Sequence, residues 1–110
     1  HLAFPGYVYG GLIASLIDCH CVGTAAAAAY KEDGRELGTL PQFRYVTGSL
    51  HVDYLKPTPL GPPIIIRAMV EEIKGKKTVV LATVSVDNIV TAKGRVVAVR
   101  MPDHLRQEEA

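Results

Sequence analysis

The sequence predicts an α+β fold in which one long helix is wrapped by an antiparallel sheet of four to five strands. Two observations lead to this prediction: an apolar segment with helical spacing near the N-terminus, and four later segments with strand-like patterns. At 110 residues the chain has the size of a single domain, residues 1–110. We find no internal repeat or second domain, and we expect residues 103–110 to form a frayed tail.

The helix is predicted over residues 11–30. Apolar residues recur at near-helical spacing, and five consecutive alanines, the best helix formers, lie near its end. Almost every face of this segment is apolar or small, so we expect the helix to be buried nearly all round. Its second turn carries Asp18, and a carboxylate there is costly unless a partner satisfies it or the chemistry uses it.

Gly10 and Gly11 precede the helical pattern. The first N–H groups of a helix have no intrahelical partner, and residues without a Cβ atom allow a ligand to approach the backbone. The helix dipole adds partial positive charge at this end, so the glycines predict an oxyanion or phosphate site. Asp18 follows about 10 Å further along the helix axis. We therefore expect the two groups to meet only if two chains pack with antiparallel helices.

Four strands are predicted after the helix. Residues 30–43 are polar and rich in turn formers, which predicts a loop with solvated charges. Residues 44–55 alternate, which predicts a half-buried strand. Its helix-facing side is predicted to carry Val46, Gly48, Leu50, Val52 and Tyr54, and its polar side Tyr45, Thr47, Ser49, His51 and Asp53.

The last three strands are predicted over residues 64–73, 78–87 and 89–100, which are rich in Val, Ile and Thr. Gly75 and the pair Asp87-Asn88 mark tight turns, so these strands must be antiparallel. We expect the small residues on one face of the last strand to let the helix lie close; they are Ala92, Gly94, Val96 and Ala98.

Two glycines followed seven residues later by an aspartate on an apolar helix resemble the HGG–helix–Asp signature of hotdog-fold acyl-CoA thioesterases, in particular the PaaI-like branch. Residues 47–57 resemble the strand that follows the helix in that family, and residues 74–82 resemble its next hairpin. The resemblance covers about residues 5–100. Tyr9 occupies the position of the motif's histidine.

The resemblance implies a hotdog fold in which the strand at residues 44–55 pairs with its copy, so that the sheet continues across a dimer. The N-terminal strand of the family would have little counterpart in this chain. We expect a homodimer or a dimer of dimers that hydrolyses an acyl-CoA substrate in the cytoplasm. No cofactor is expected beyond the coenzyme A of the substrate, and the acyl group is left open.

In this hypothesis Asp18 is a general base or nucleophile, and the N–H groups of Gly11 and Gly10 polarise the thioester carbonyl across the dimer interface. The alternatives are a buried carboxylate satisfied by hydrogen bonds, and glycines that only allow a turn or a close contact. The residues expected to bind substrate are Tyr9, Thr47, Gly48, Ser49 and His51; Arg67, Lys74, Lys76 and Lys77 are candidates for the nucleotide phosphates. For these residues the alternatives are packing for Tyr9 and solvation for the polar side chains.

Other functions fit the composition less well. A net charge of +1 disfavours a dedicated nucleic-acid binder, and Asp18 and His20 interrupt the best candidate for a membrane span. Cys19, His20 and Cys21 point about 100° apart on a helix, so they do not converge on a metal ion, and we predict no metal site. Two alternatives to an enzyme stay open: a non-catalytic hotdog protein that binds an acyl ligand, and a structural dimer.

Overall fold

The computed structural model describes residues 5–102, so the predicted tail at 103–110 lies outside the described residues. A single described helix packs on one face of a four-stranded antiparallel sheet, which confirms the predicted fold class. Every element begins and ends within two residues of its predicted bounds. The elements are α1 (Gly10–Glu32), β1 (Tyr45–Tyr54), β2 (Ile65–Lys74), β3 (Lys77–Val86) and β4 (Ile89–Arg100).

The strand order is β1-β4-β3-β2. Two-residue turns join β2 to β3 and β3 to β4, as their sequence signals predict. Asp87 and Asn88 have φ values of 51° and 66°, the left-handed conformation that a tight hairpin with the twist of its strands requires. β1 pairs with β4 rather than with β2, the next strand along the chain. β1 and β2 are therefore the two edges of the sheet.

The core lies between one line of α1 and the inner face of β3 and β4. Gly94 allows this close contact, because a Cβ atom added there would stand 2.4 Å from Cγ2 of Ile17. The prediction that small residues on β4 let the helix lie close is thus confirmed at Gly94. The fully packed members of the core are Ile13, Ile17, Cys21, Ala25, Val80, Ala82, Val84, Ala92, Val96 and Ala98.

The prediction that α1 is buried nearly all round is wrong for the single chain. The buried helix residues form one line, while Leu12, Ser15 and Cys19 on other faces are exposed. A four-stranded sheet covers only one side of a helix, so the remaining apolar surface stays uncovered. By length and composition α1 is also apolar enough to cross a membrane despite Asp18 and His20, a test that core helices of soluble proteins pass as well.

The alternation predicted for β1 is interrupted by a β-bulge between Thr47 and Ser49. Tyr45 and Thr47 face α1 before the bulge, and Val52 and Tyr54 face it after the bulge. The predicted faces are therefore wrong for Tyr45, Val46 and Thr47, because a bulge places two residues opposite one and shifts the pattern by one position. A Cβ atom on the extra residue, Gly48, would lie 3.0 Å from Cγ2 of Val99 and 3.2 Å from the Val97 oxygen, which favours glycine there.

The connection between α1 and β1 is organised around Arg35. Its guanidinium lies 5.2 Å from the ring centroid of Tyr30 and 4.6 Å from that of Phe43. It donates hydrogen bonds to the carbonyl oxygens of Thr39, at 2.7 Å, and Pro41. The expectation of solvated charges in this loop is therefore wrong for Arg35, whose side chain is 20% exposed.

Candidate active site

Asp18 lies partly buried on α1, on the side that faces β1. The hydroxyl of Thr47 donates a hydrogen bond of 2.5 Å to Asp18 Oδ1, a length typical of a hydroxyl bonded to a carboxylate. The bulge at Gly48 places Thr47 on the helix side of β1, so this contact depends on it. No other hydrogen bond or ion pair to this carboxylate forms within residues 5–102. The second oxygen, Oδ2, therefore remains available to a water or substrate.

The residues around Asp18 include a thiol that stays neutral. Burial, and secondarily the negative charge of Asp18, raise the pKa of Cys21 to about 11. At neutral pH Cys21 is a protonated, poorly nucleophilic core residue. Cys19 is exposed, and both cysteines are free. In the described part of the chain, no three His, Cys, Asp or Glu side chains group closely enough to hold a metal ion.

The N-terminus of α1 presents backbone donors. The N-cap residue is Tyr9, whose carbonyl accepts hydrogen bonds from Leu12 N at 3.2 Å and Ile13 N at 3.3 Å, and no side chain caps the helix. Gly10 and Gly11 come before the first residues that donate these bonds, and their amides meet no backbone acceptor among the described residues. Both glycines are exposed, and the first turn holds no acidic residue. This helix end can therefore bind an oxygen atom that carries negative charge.

Two tyrosine rings crowd the same glycines. A Cβ atom on Gly10 would lie 3.2 Å from Cζ of Tyr54, and one on Gly11 would lie 3.2 Å from Cε2 of Tyr9. The Tyr54 hydroxyl donates a 2.6 Å hydrogen bond to the Gly10 carbonyl. The glycines thus have a packing role as well as open amides. The alternation along β1 predicts that Tyr54 lies on the inner face of its strand, but it does not predict this bond, because the partner is 44 residues away.

A cavity of about 330 Å³ adjoins the start of α1. It lies between the segment that precedes α1 and the segment that follows β1. The Val8 amide of the first segment donates a 2.8 Å hydrogen bond to the Thr58 carbonyl of the second. Its lining is mainly apolar, with one cation. The side chains around it include Ile13, Tyr54, Leu55, Lys56 and Pro57.

The predicted site residues form two groups within one chain. Asp18 meets Thr47, and Tyr9 lies with Gly10 and Gly11 at the helix start, about 12 Å away along the axis at ~1.5 Å per residue. A single chain therefore does not bring the carboxylate to the open amides.

Ser49 and His51 lie beyond the bulge, on the side of β1 turned away from α1. His51 Nε2 is 3.1 Å from Asp53 Oδ1, and both side chains are exposed. The predicted substrate-binding side of β1 is therefore split: Thr47 faces the helix, whereas Ser49 and His51 face outward. No described strand pairs with the outer edge of β1.

Residues 5–93 match the family model described as thioesterase superfamily. The acyl-coenzyme A thioesterase THEM4 of Rattus norvegicus is 34% identical over 80 residues, which is 73% of this chain and 29% of that protein. The chain thus spans less than a third of the length of this relative.

Two solved structures are similar in fold. A thioesterase superfamily protein from Shewanella loihica PV-4 is 44% identical, with a TM-score of 0.72 over 93% of this chain and 75% of that chain. The BH2602 protein from Bacillus halodurans, solved with CoA, is 21% identical, with a TM-score of 0.70 over 86% of this chain and 56% of that chain. At this identity the second structure supports the fold alone.

Proposed function

The chain belongs to the thioesterase superfamily, and from this premise we propose that it hydrolyses an acyl-CoA thioester to a free carboxylic acid and coenzyme A. The observation that carries the proposal is the Asp18 carboxylate, held through one oxygen by Thr47 while the other stays open. The open amides at the start of the same helix supply the second element that thioester hydrolysis needs. A relative named acyl-coenzyme A thioesterase supports the substrate class.

In the proposed reaction Asp18 acts as a general base. It accepts a proton from water as the water oxygen attacks the thioester carbonyl carbon. The tetrahedral intermediate then expels the CoA sulfur, which takes up a proton, and the acyl group leaves as a carboxylic acid. Direct attack by the carboxylate, followed by hydrolysis of the anhydride, is the covalent variant of the same scheme. Because the Thr47 hydroxyl donates to Oδ1, it orients the carboxylate so that Oδ2 meets the reacting group.

The negative charge that develops on the carbonyl oxygen requires hydrogen-bond donors. We assign this role to the amide of Gly11, assisted by Gly10 and the helix dipole. One such donor contributes about 3 kcal/mol to lowering the barrier. The ring of Tyr9 packs against Gly11 and would form a wall beside the acyl group.

The complete site is proposed to form in a homodimer or a dimer of dimers. The distance of two helical turns between Asp18 and Gly11 supports this, because a partner packed antiparallel would supply the amides that one chain holds too far away. β1 is a free edge of ten residues in the described sheet, and its Val46, Leu50 and Tyr54 are 47%, 40% and 54% exposed. Such an edge is suited to pairing with a second copy. Ser49 and His51 would then lie near the interface, where they could contact the pantetheine arm.

The proposal is tested by measuring thiol release from a panel of acyl-CoA esters of increasing chain length. We expect Asp18→Asn to reduce kcat by at least about a hundredfold, as a lost general base does, while the oligomer stays intact. His20→Gln is the matched control, because His20 is an exposed polar residue on the same helix. Full turnover by Asp18→Asn would remove Asp18 from the mechanism. Binding of acyl-CoA without release on any substrate would favour a non-catalytic acyl-binding protein instead.

A further inference from the structure

The face of the sheet turned away from α1 carries a groove that the proposed hydrolysis does not use. Its volume of about 430 Å³ is within the range of roughly 300–1,000 Å³ that is usual for small-molecule sites. The groove crosses β2, β3 and β4, and its lining is Arg67, Ala68, Met69, Leu81, Ala82, Thr83, Lys93 and Gly94.

Three hydrogen-bond donors form one row across this groove. Arg67 is paired with Thr83, and Thr83 is paired with Lys93, in the registers of the two strand ladders. Neighbouring strands lie about 4.8 Å apart, so the two cations flank the threonine hydroxyl with roughly 10 Å between their backbones. The adjacent row begins with Met69 and Leu81, which are paired with each other. The groove thus has a cationic end and an apolar end.

The cations of this row make no direct ion pair within residues 5–102. Neither Arg67 nor Lys93 makes an ion pair or a hydrogen bond with another described residue, and the same holds for the Thr83 hydroxyl. The acids Glu71 and Asp53 share this face but make their contacts elsewhere. Glu71 lies 3.9 Å from Arg95, and Asp53, which is paired with Lys93 in the register of β1 and β4, lies 3.1 Å from His51 Nε2. The row of Arg67, Thr83 and Lys93 continues into Asp53 of β1, so two cations and one carboxylate leave a net positive charge beside an apolar surface.

We propose that this groove binds a free fatty acid, with its carboxylate over Thr83 between Arg67 and Lys93 and its hydrocarbon chain along Met69 and Leu81. A guanidinium and an ammonium are the side chains that pair best with a carboxylate, and the hydroxyl between them adds a third donor. Met69 is 64% exposed, so the hydrocarbon chain of the fatty acid would cover apolar protein surface that is otherwise in contact with water. The proposal does not depend on the proposed hydrolysis, because it concerns the opposite face of the sheet.

A second copy of the chain fits this face less well. A two-fold contact centred on this row would bring Arg67 and Lys93 of both partners together. Like charges in an interface oppose association. A fatty acid has the complementary charge and an apolar chain in one molecule.

Binding can be followed at a single methyl group, because the chain has only two methionines, Met69 and Met101. With methyl-labelled methionine, titration with monomeric sodium decanoate should shift the Met69 signal and leave the Met101 signal unchanged. Decanol, which has the same chain length without the charge, should bind about tenfold more weakly, and 1 M NaCl should weaken decanoate binding. An unchanged Met69 signal, or equal affinity for decanol and decanoate, would overturn the proposal.

The variant Arg67→Gln/Lys93→Gln should weaken decanoate binding about tenfold, as expected for two partly exposed ion pairs. Thr83→Val should weaken it about threefold through the lost hydroxyl donor. Lys31→Gln, which removes a cation from the last turn of α1, is the matched control and should bind normally. Unchanged affinity in the double variant would refute the site.

Two further measurements separate this proposal from its competitors. Asp18→Asn should give the same Met69 titration as the wild type, so a failure of hydrolysis and a failure of binding are read independently. Sedimentation of Met69→Glu should show the wild-type oligomeric state. Dissociation of that variant would identify the groove as a contact between copies and would overturn fatty-acid binding there.

Discussion

Gly94→Ala tests how strongly the position of α1 depends on one missing methyl group. The added Cβ atom would lie 2.4 Å from Cγ2 of Ile17, whereas ordinary contacts begin at 3.4 Å, so the helix or the side chain must retreat by about 1.0 Å (3.4 − 2.4). Ile17 is fully buried, which leaves its side chain little room to rotate. Overpacking of this kind lowers the free energy of unfolding by about 1–3 kcal/mol.

The same change should affect catalysis. Ile17 precedes Asp18, so a displacement of the helix by about 1 Å alters the 2.5 Å hydrogen bond from Thr47 to the carboxylate. A misplacement of this size can reduce kcat by roughly a hundredfold. We therefore expect Gly94→Ala to retain its fold and lose most of the proposed thioesterase activity.

Urea unfolding at a fixed protein concentration measures the stability part, because the midpoint of an oligomer depends on concentration. Gly23→Ala is the matched control: a Cβ atom there meets no atom within 4 Å, and alanine should raise the free energy of unfolding by about 0.5–1 kcal/mol. Ile17→Val keeps Cγ2 and should not rescue Gly94→Ala, whereas Ile17→Ala removes the clash and should make the double variant less unstable than the sum of the single variants. The reasoning would be refuted if Gly94→Ala left the free energy of unfolding unchanged. It would also be refuted if the destabilisation in the double variant equalled the sum for Gly94→Ala and Ile17→Ala.

Three further predictions concern side chains around the site. Thr47→Val should lower kcat about tenfold with little change in KM, because it removes the hydroxyl that orients Asp18. Thr47→Ser keeps the hydroxyl and should have the wild-type kcat. Equal kcat values for the Thr47→Val and Thr47→Ser variants would contradict this role. Tyr54→Phe should lower the free energy of unfolding by about 1 kcal/mol through the lost bond to the Gly10 carbonyl, as a thermal melt would show, and an unchanged melt would argue against that bond. The raised pKa of Cys21, from 9.0 to about 11, favours the protonated thiol in the folded state, so stability should fall as pH rises from about 9 through 11; Cys21→Ala should abolish this slope, and an equal slope in both proteins would assign it elsewhere.

Much of the secondary structure was predictable from short stretches of sequence. The helix follows from apolar spacing and the alanine run, and the hairpins follow from turn residues such as Asn88, whose positive φ suits a tight turn. The close contact at Gly94 was expected from the small residues of its strand. These signals are local, since each depends on residues a few positions apart.

The placement of Thr47 could not be predicted in this way. Alternation assigns it to the outward side of β1, and only the pairing of β1 with β4 produces the bulge that turns it toward Asp18. The bond between Tyr54 and Gly10 likewise joins residues 44 positions apart. Both contacts depend on the register between elements that are distant in sequence.

Short-range signals along the chain were enough to predict the elements of this protein, the helix that carries Asp18 among apolar residues, and the glycines at the start of that helix. Spacing, propensity and turn chemistry act over a few residues. Three arrangements emerge only in the folded molecule: β1 lies beside β4, Thr47 holds Asp18, and two cations share one row on the outer face. These arrangements arise when strands pair and a bulge shifts their register, and the free energy that selects one register comes from packing across the whole sheet.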